Sequence, residues 1–297
     1  MAPIGVFDSG VGGLTVLRAL RAHLPHESFL YLGDTARLPY GTKSSVTVTR
    51  YARQAAQVLV DRGIKLLVIA CNTASAVAVD DLAQALHPLP VVGVVEPGAA
   101  AACAASSHGR IAVIGTESTI RGGAYERAIA RRRPSAAVVG RACPLFVSLA
   151  EEGWCDGPIP EAVAERYLGD LRPSPMDGLD DLASIDCLVL GCTHFPVLRS
   201  AIAAVMGPEV TLVDSAETTA RVVAGVLADS GLRRPASEPG RDPAAALEPA
   251  SQLVREPVRE PASGPAVTLL ATDGPERFAR VGTRFLGLPL EPGMVSL

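Results

Sequence analysis

Two short stretches carry the reactive side chains. In "LVIACNTAS", residues 67–75, an apolar run ends on Cys71 and continues as Asn72–Thr73. In "LVLGCTHFP", residues 188–196, a matching run ends on Cys192 and continues as Thr193–His194. A free cysteine most often serves as a small buried hydrophobe. These two share one place in a repeated frame, I-x-x-L-V-x-x-C, and both meet hydrogen-bonding residues at once. A disulfide or a two-cysteine metal site accounts for the thiols but leaves the Asn, Thr and His unexplained. Proton transfer at opposite faces of one carbon accounts for all of them, because inversion needs a base on one side and an acid on the other. Thiols suit that work, since a free cysteine titrates near pH ~8.5 and a cation or helix N-terminus lowers it.

Other residues qualify as helpers. Asp8 and Ser9 follow the first apolar run in "VFDSGVGG". The G-x-G-x-x-G spacing is absent and Asp8 puts negative charge where a phosphate would sit. The carboxylate suits an ammonium group or the orientation of Cys71, and an Asp–Ser helix cap fits the local sequence equally well. His194 is placed to polarise Cys192, or to cap the next helix. "GDTARLPYG" offers Pro39, Tyr40 and Gly41 as a rigid turn with backbone N–H groups for a carboxylate, and "GTEST" offers Thr116 and Thr119 at a helix start. Glu151 beside Glu152 is the weakest of the set, because adjacent acids usually form a solvated helix face.

The elements that must position these groups follow from hydrophobic periodicity. Apolar runs at 4–7, 29–32, 66–70, 91–95, 111–114, 137–139, 187–190 and 210–213 read as strands buried on both faces, with helical patterns at 14–24, 45–62, 74–86, 121–132, 160–171 and 197–205. This alternation predicts parallel sheets joined by crossover helices. The cysteine frames repeat, and so do the strand-to-polar-turn pieces "IGVFDSGVGG" and "IAVIGTESTI". Such a duplication places two similar α/β domains face to face, each offering a cysteine from a strand's carboxyl end. The Pro-rich segment 233–265 lacks apolar periodicity and reads as a disordered or extended loop.

The 297 residues suffice for two domains, and a net charge of −4 leaves no electrostatic footprint for nucleic acid or an anionic membrane. No apolar run approaches membrane-spanning length and no signal-peptide pattern opens the chain, so the expectation is a cytoplasmic protein whose six cysteines are thiols. Only Lys43 and Lys65 are available for a Schiff base, and neither has a recognisable PLP setting.

The stretches "GVFDSGVGGLTVLRAL", "YLGDTARLPYG", "VIACNTASA", "VVGVVEPGA", "IAVIGTESTI", "CPLFVSLAEEG", "VLGCTHFPVL" and "TTAR" resemble, in order, the glutamate racemases of the aspartate/glutamate racemase superfamily. The likeness spans nearly the whole chain apart from the Pro-rich segment. It implies two doubly wound, flavodoxin-like α/β domains related by pseudo-two-fold symmetry, with the active site in the cleft. The first domain would comprise 1–95 and 207–297, the second 96–206. It implies a cofactor-independent enzyme that interconverts L- and D-glutamate for peptidoglycan synthesis, with no metal, and a homodimer. By this resemblance Cys71 would serve the D-face with Asp8, and Cys192 the L-face with His194 and Glu151. Ser9, Pro39, Tyr40, Gly41, Asn72, Thr73, Thr116, Thr119 and Thr193 would hold the substrate's polar groups, with Asp8 and His194 also in contact with it. Asp34 matches a polar position without an assigned role. An aspartate-specific racemase and a non-catalytic regulator, of DNA gyrase for instance, stand as the alternatives.

Overall fold

In a computed structural model, residues 2–172, 185–234, 266–291, 293–295 and 297 are described. The chain builds two all-parallel sheets. The first begins with β1 (Ile4–Asp8), α1 (Leu14–His23), β2 (Phe29–Gly33), α2 (Ser45–Val60), β3 (Leu66–Ile69), α3 (Asn72–Ala85) and β4 (Val91–Gly93). Then α4 (Val95–Ala105) leads into the second: β5 (Arg110–Gly115), α5 (Glu117–Arg121), α6 (Ala124–Arg132), β6 (Ala137–Ala142), α7 (Leu145–Glu152), α8 (Pro158–Leu168), β7 (Cys187–Gly191), α9 (Arg199–Met206) and β8 (Thr211–Asp214). The chain returns through α10 (Ser215–Asp229) to β9 (Val267–Ala271), α11 (Pro275–Leu286) and β10 (Gly293–Met294).

Strand order shows the duplication directly. The first sheet runs β10-β9-β2-β1-β3-β4 and the second β6-β5-β7-β8. The segment β2-β1-β3-β4 therefore repeats as β6-β5-β7-β8, and Cys71 and Cys192 each follow the equivalent strand, β3 and β7. Both strands are central and fully buried, as their unbroken Leu, Val and Ile runs require. The expected division at 206/207 assigned residues 211–214 to the first domain; β8 pairs with β7, so that strand belongs to the second sheet. The loop between α9 and β8 carries no compositional mark of a boundary, so only the pairing shows which sheet the strand joins.

Local sequence accounts for the helix starts. Ser44, Thr116 and Asp214 each accept a backbone N–H at the helix they cap, and Cys71 does so for α3 through Sγ. Helix α4 forms although "VEPGAAAACAA" contains proline and glycine, because Pro97 falls in the first turn, where its missing N–H has no helical partner to lose. Helix α1 buries Leu14, Leu17 and Leu20 and packs against α10, which follows the second sheet, so the two halves are joined through a shared core. The closing strand β10, two residues long, has no periodicity by which to be recognised.

The Pro-rich segment lies outside the described residues from 235 to 265, but its flanks are fixed. Arg234 Nη1 donates to Ser28 Oγ at 3.0 Å, and Phe29 N donates to Ala266 O at 2.9 Å. The Arg234 backbone N–H also donates to Glu27 Oε1 at 2.7 Å, and that carboxylate pairs with the half-buried Lys65 through Oε2 at 2.6 Å. Both flanks thus meet at the amino end of β2, opposite the cysteine ends of the strands. Replacing 235–265 by a short Gly/Ser linker should leave a single cooperative thermal transition within about 4 °C of the intact chain. Broad or multi-step unfolding of the shortened protein would show that the segment is part of the core.

Candidate active site

The carboxyl ends of β1, β3, β5 and β7 converge between the sheets, and close backbone approaches seal them together. A Cβ on Gly12 would stand 2.3 Å from Thr193 Oγ1 and 2.5 Å from His194 Nδ1. A Cβ on Gly41 would stand 2.6 Å from Thr116 Cβ. Glycine at both positions lets the turns after β1 and β2 touch the turns after β7 and β5. Thr15 Oγ1 adds a hydrogen bond to Thr193 O at 3.2 Å across the same seam.

Cys71 is 5% exposed. Its sulfur meets Ser9 Oγ at 3.5 Å and accepts the Ala74 N–H at 3.4 Å. Burial pushes the thiol up to about 12 and the Asp8 charge adds to it, against the Ser9 and Ala74 hydrogen bonds. Asp8 is fully buried at the end of β1. Its Oδ2 accepts the Gly10 N–H at 2.9 Å, and Oδ1 has no partner. Burial raises its pKa, while the charge of His194 and backbone N–H groups oppose the rise.

Cys192 stands in a different environment. Its Sγ lies 3.8 Å from His194 Nδ1, and His194 Nε2 lies 3.1 Å from Glu151 Oε1. Arg277 Nη2 holds the other Glu151 oxygen at 2.8 Å. Burial disfavours charge on His194, yet its hydrogen bonds to Cys192 and Glu151 outweigh this and raise it to about 10. Burial also resists charge on Glu151, but His194 and Arg277 bring it below its ordinary value. Glu151 is therefore a half-buried bridge, whereas adjacent acids by themselves predicted a solvated face. Phe285 on α11 closes over the His194 ring edge-on at 5.2 Å.

Polar groups from both halves also meet at these strand ends. Thr73, Thr116 and Thr119 form a triangle of hydroxyls with Oγ1 separations of 3.0, 3.2 and 3.0 Å. Asn72 Nδ2 is a buried donor with no partner. The Pro39–Gly41 turn is braced by fully buried Asp34, which accepts from Tyr40 Oη, from Arg37 Nε at 2.6 Å and from Thr272 Oγ1 at 3.0 Å. The Tyr40 phenol is thus spent on Asp34, and this turn has only its backbone to offer a ligand. No cluster of three or more metal-ligating side chains occurs among the described residues.

The residues expected from sequence lie at these strand ends and the helix starts that follow them, in the turn after β2 (Pro39, Tyr40 and Gly41) or at the end of α7 (Glu151). Sequence reasoning passed over Gly12, Thr15, Tyr125 and Arg277, which act across the domain seam. Nothing in a helical pattern marks Tyr125, and Arg277 lies in a stretch, "TDGPERFARV", that echoes the resemblance only weakly.

A sequence model of the Asp/Glu/Hydantoin racemase family matches residues 14–223. The chain belongs to that racemase family. The glutamate racemase of Geobacter metallireducens is 51% identical over 284 residues, 96% of this chain and 92% of that protein. Among solved structures, the glutamate racemase of Francisella tularensis in complex with D-glutamate has a TM-score of 0.81 at 33% identity, covering 100% of this chain and 97% of that one. The glutamate racemase of Thermus thermophilus in complex with beta-chloro-D-alanine gives 0.78 at 42% identity, covering 100% and 96%. The aspartate racemase of Picrophilus torridus shares the fold alone, at 15% identity and a TM-score of 0.54.

Two measurements probe this racemase site. Gly12→Ala should fold but lose about 10²-fold in turnover, because Thr193 and His194 must move by roughly an ångström; wild-type turnover would show that the close approach is dispensable. The raised His194 pKa stabilises the fold fully below pH 6.5, its ordinary value, and this contribution is lost as pH rises toward about 10. The depressed Glu151 contributes above pH 4.5, its ordinary value, and is lost below it. Urea unfolding between pH 6.5 and 9 should therefore show stability falling with pH, a slope that His194→Asn flattens; an unchanged slope in the variant would contradict the assignment.

Proposed function

We propose that the protein is a glutamate racemase that transfers protons between its two cysteines and opposite faces of the substrate's α-carbon. The observation that carries this reading is the placement of Cys71 and Cys192 at the carboxyl ends of the equivalent strands β3 and β7, near enough for their charges to act on one another. Relatives at 44–51% identity named as glutamate racemases, over most of the chain, support glutamate as the substrate.

In the direction the resemblance assigns to L-glutamate, Cys192 as thiolate takes the α-proton. The C–H bond breaks, an S–H bond forms, and the electron pair spreads from the α-carbon into the carboxylate. Cys71 then gives its thiol proton to the opposite face, where S–H breaks and the new C–H forms. One proton leaves and one arrives, and the reverse reaction exchanges the roles. The environments suit this start: imidazolium His194, held by Glu151, stands with Nδ1 3.8 Å from Cys192 Sγ, whereas buried Cys71 keeps its proton.

The substrate is a zwitterion, and the cleft offers it complementary orphan groups. Asp8 Oδ1 is an acceptor for the ammonium, and Asn72 Nδ2 is a donor for a carboxylate. An ammonium beside Asp8 would offset the charge that helps hold Cys71 protonated, so binding itself would ease ionisation of that thiol. The threonine hydroxyls and the backbone of the Pro39–Gly41 turn would hold the remaining oxygens, and donors fixed in a water-poor cleft stabilise the developing carbanion. In this reading the enzyme works without a cofactor, as a homodimer in the cytoplasm, and supplies D-glutamate for peptidoglycan.

Circular dichroism of L-glutamate in D₂O tests the proposal. The wild-type protein should invert it with α-deuterium incorporation, unaffected by EDTA or added PLP. Cys71→Ala and Cys192→Ala should each lose on the order of 10³-fold or more in racemisation. Near wild-type turnover in either variant would end the two-thiol mechanism, and inversion of aspartate in place of glutamate would end the substrate assignment.

A further inference from the structure

Tyr125 lies on α6, in the second half of the molecule, and is 1% exposed. Its hydroxyl donates to Asn72 Oδ1 at 2.6 Å, crossing to the first half beside Cys71. Ser215, the first residue of α10, lies beside the same phenolic oxygen. Two glycines admit the ring. A Cβ on Gly98 would stand 3.1 Å from Tyr125 Oη, and one on Gly191 would stand 3.2 Å from Tyr125 Cε2. Gly191 immediately precedes Cys192. One aromatic side chain therefore touches the turn after β3 and the end of β7 together.

The hydrogen-bond directions carry the argument. A phenol has one proton to give. That proton goes to Asn72, which presents its carbonyl oxygen there. The flip of the amide is then settled. Its Nδ2 faces the other way, buried and without a partner, which is costly unless a ligand accepts from it.

We propose that Tyr125 is a positioning residue that locks the Asn72 amide with its NH₂ group toward the substrate carboxylate while bracing Gly191 at the Cys192 strand end. This rests on the glutamate-racemase reading above and adds to it a residue outside the cleft lining. Removing the hydroxyl leaves Asn72 free to turn its oxygen toward the carboxylate, where it repels. The damage then appears in substrate affinity for both enantiomers, whereas a packing defect would appear in stability.

A double-mutant cycle tests the lock, with KM and kcat for L- and D-glutamate read by circular dichroism and thermal unfolding alongside. Tyr125→Phe should raise KM about tenfold for both enantiomers and change kcat by less than about threefold, the effect expected of one buried hydrogen bond. Asn72→Ala should raise KM at least as much. In the Asn72→Ala background, Tyr125→Phe should add nothing, because there is no amide left to orient. Ser215→Ala should raise KM by a smaller factor that also vanishes with Asn72→Ala, and it carries the test if Tyr125→Phe does not fold. A KM unchanged in both single variants, or effects that multiply in the double variant, would overturn the lock. Failure of the wild-type protein to turn over glutamate would overturn the functional reading and the lock together, whereas wild-type turnover with multiplying effects would remove the lock alone.

Discussion

A thiol removed from water resists ionisation, and the cleft is organised around that resistance. Cys71, buried beside Asp8, is held as a thiol; Cys192, buried to the same degree, faces a histidine held cationic by two hydrogen bonds. The strands supply these positions cheaply. A central parallel strand is covered on both faces, so a cysteine one or two residues beyond β7 or β3 is desolvated while standing at the strand's end. The helix that begins at Cys71 adds its N-terminal N–H groups, a partial offset to burial.

Desolvation has to be maintained from both sides, which explains why the two halves interlock so closely at the strand ends. Gly12 and Gly41 bring backbone from one half against side chains of the other, and Phe285 covers His194. Arg277 and Arg284 on α11 reach into the second half, where Arg284 Nη1 bonds the carbonyls of Ala150 and Glu151 at 3.1 and 3.0 Å. The line Arg277–Glu151–His194–Cys192 thus links the state of one thiol to a helix of the opposite half.

Much of this was legible in the chain. Continuous Val, Ile and Leu runs specify parallel strands, and the two copies of I-x-x-L-V-x-x-C foreshadow equivalent strands that the observed orders β2-β1-β3-β4 and β6-β5-β7-β8 make explicit. Side chains next to a strand end in sequence, such as Asp8, Ser9, Asn72, Thr73, Thr193 and His194, are positioned by that strand and so can be read locally. Glu151 could not be read this way. As one of two adjacent acids it looked solvated, and only the packing of α7 against α11 turns it toward His194.

By itself, therefore, the sequence determined which residues end the central strands and which polar groups accompany them, because strand periodicity and helix caps depend on near neighbours. Tertiary structure alone decided that β8 joins the second sheet, that Tyr125 reaches Asn72, and that Arg277 holds Glu151. Each of these joins residues dozens of positions apart, through side chains whose partners no local pattern names. The reason is physical: burial and charge at a cleft are properties of two surfaces brought together, and neither surface carries them alone.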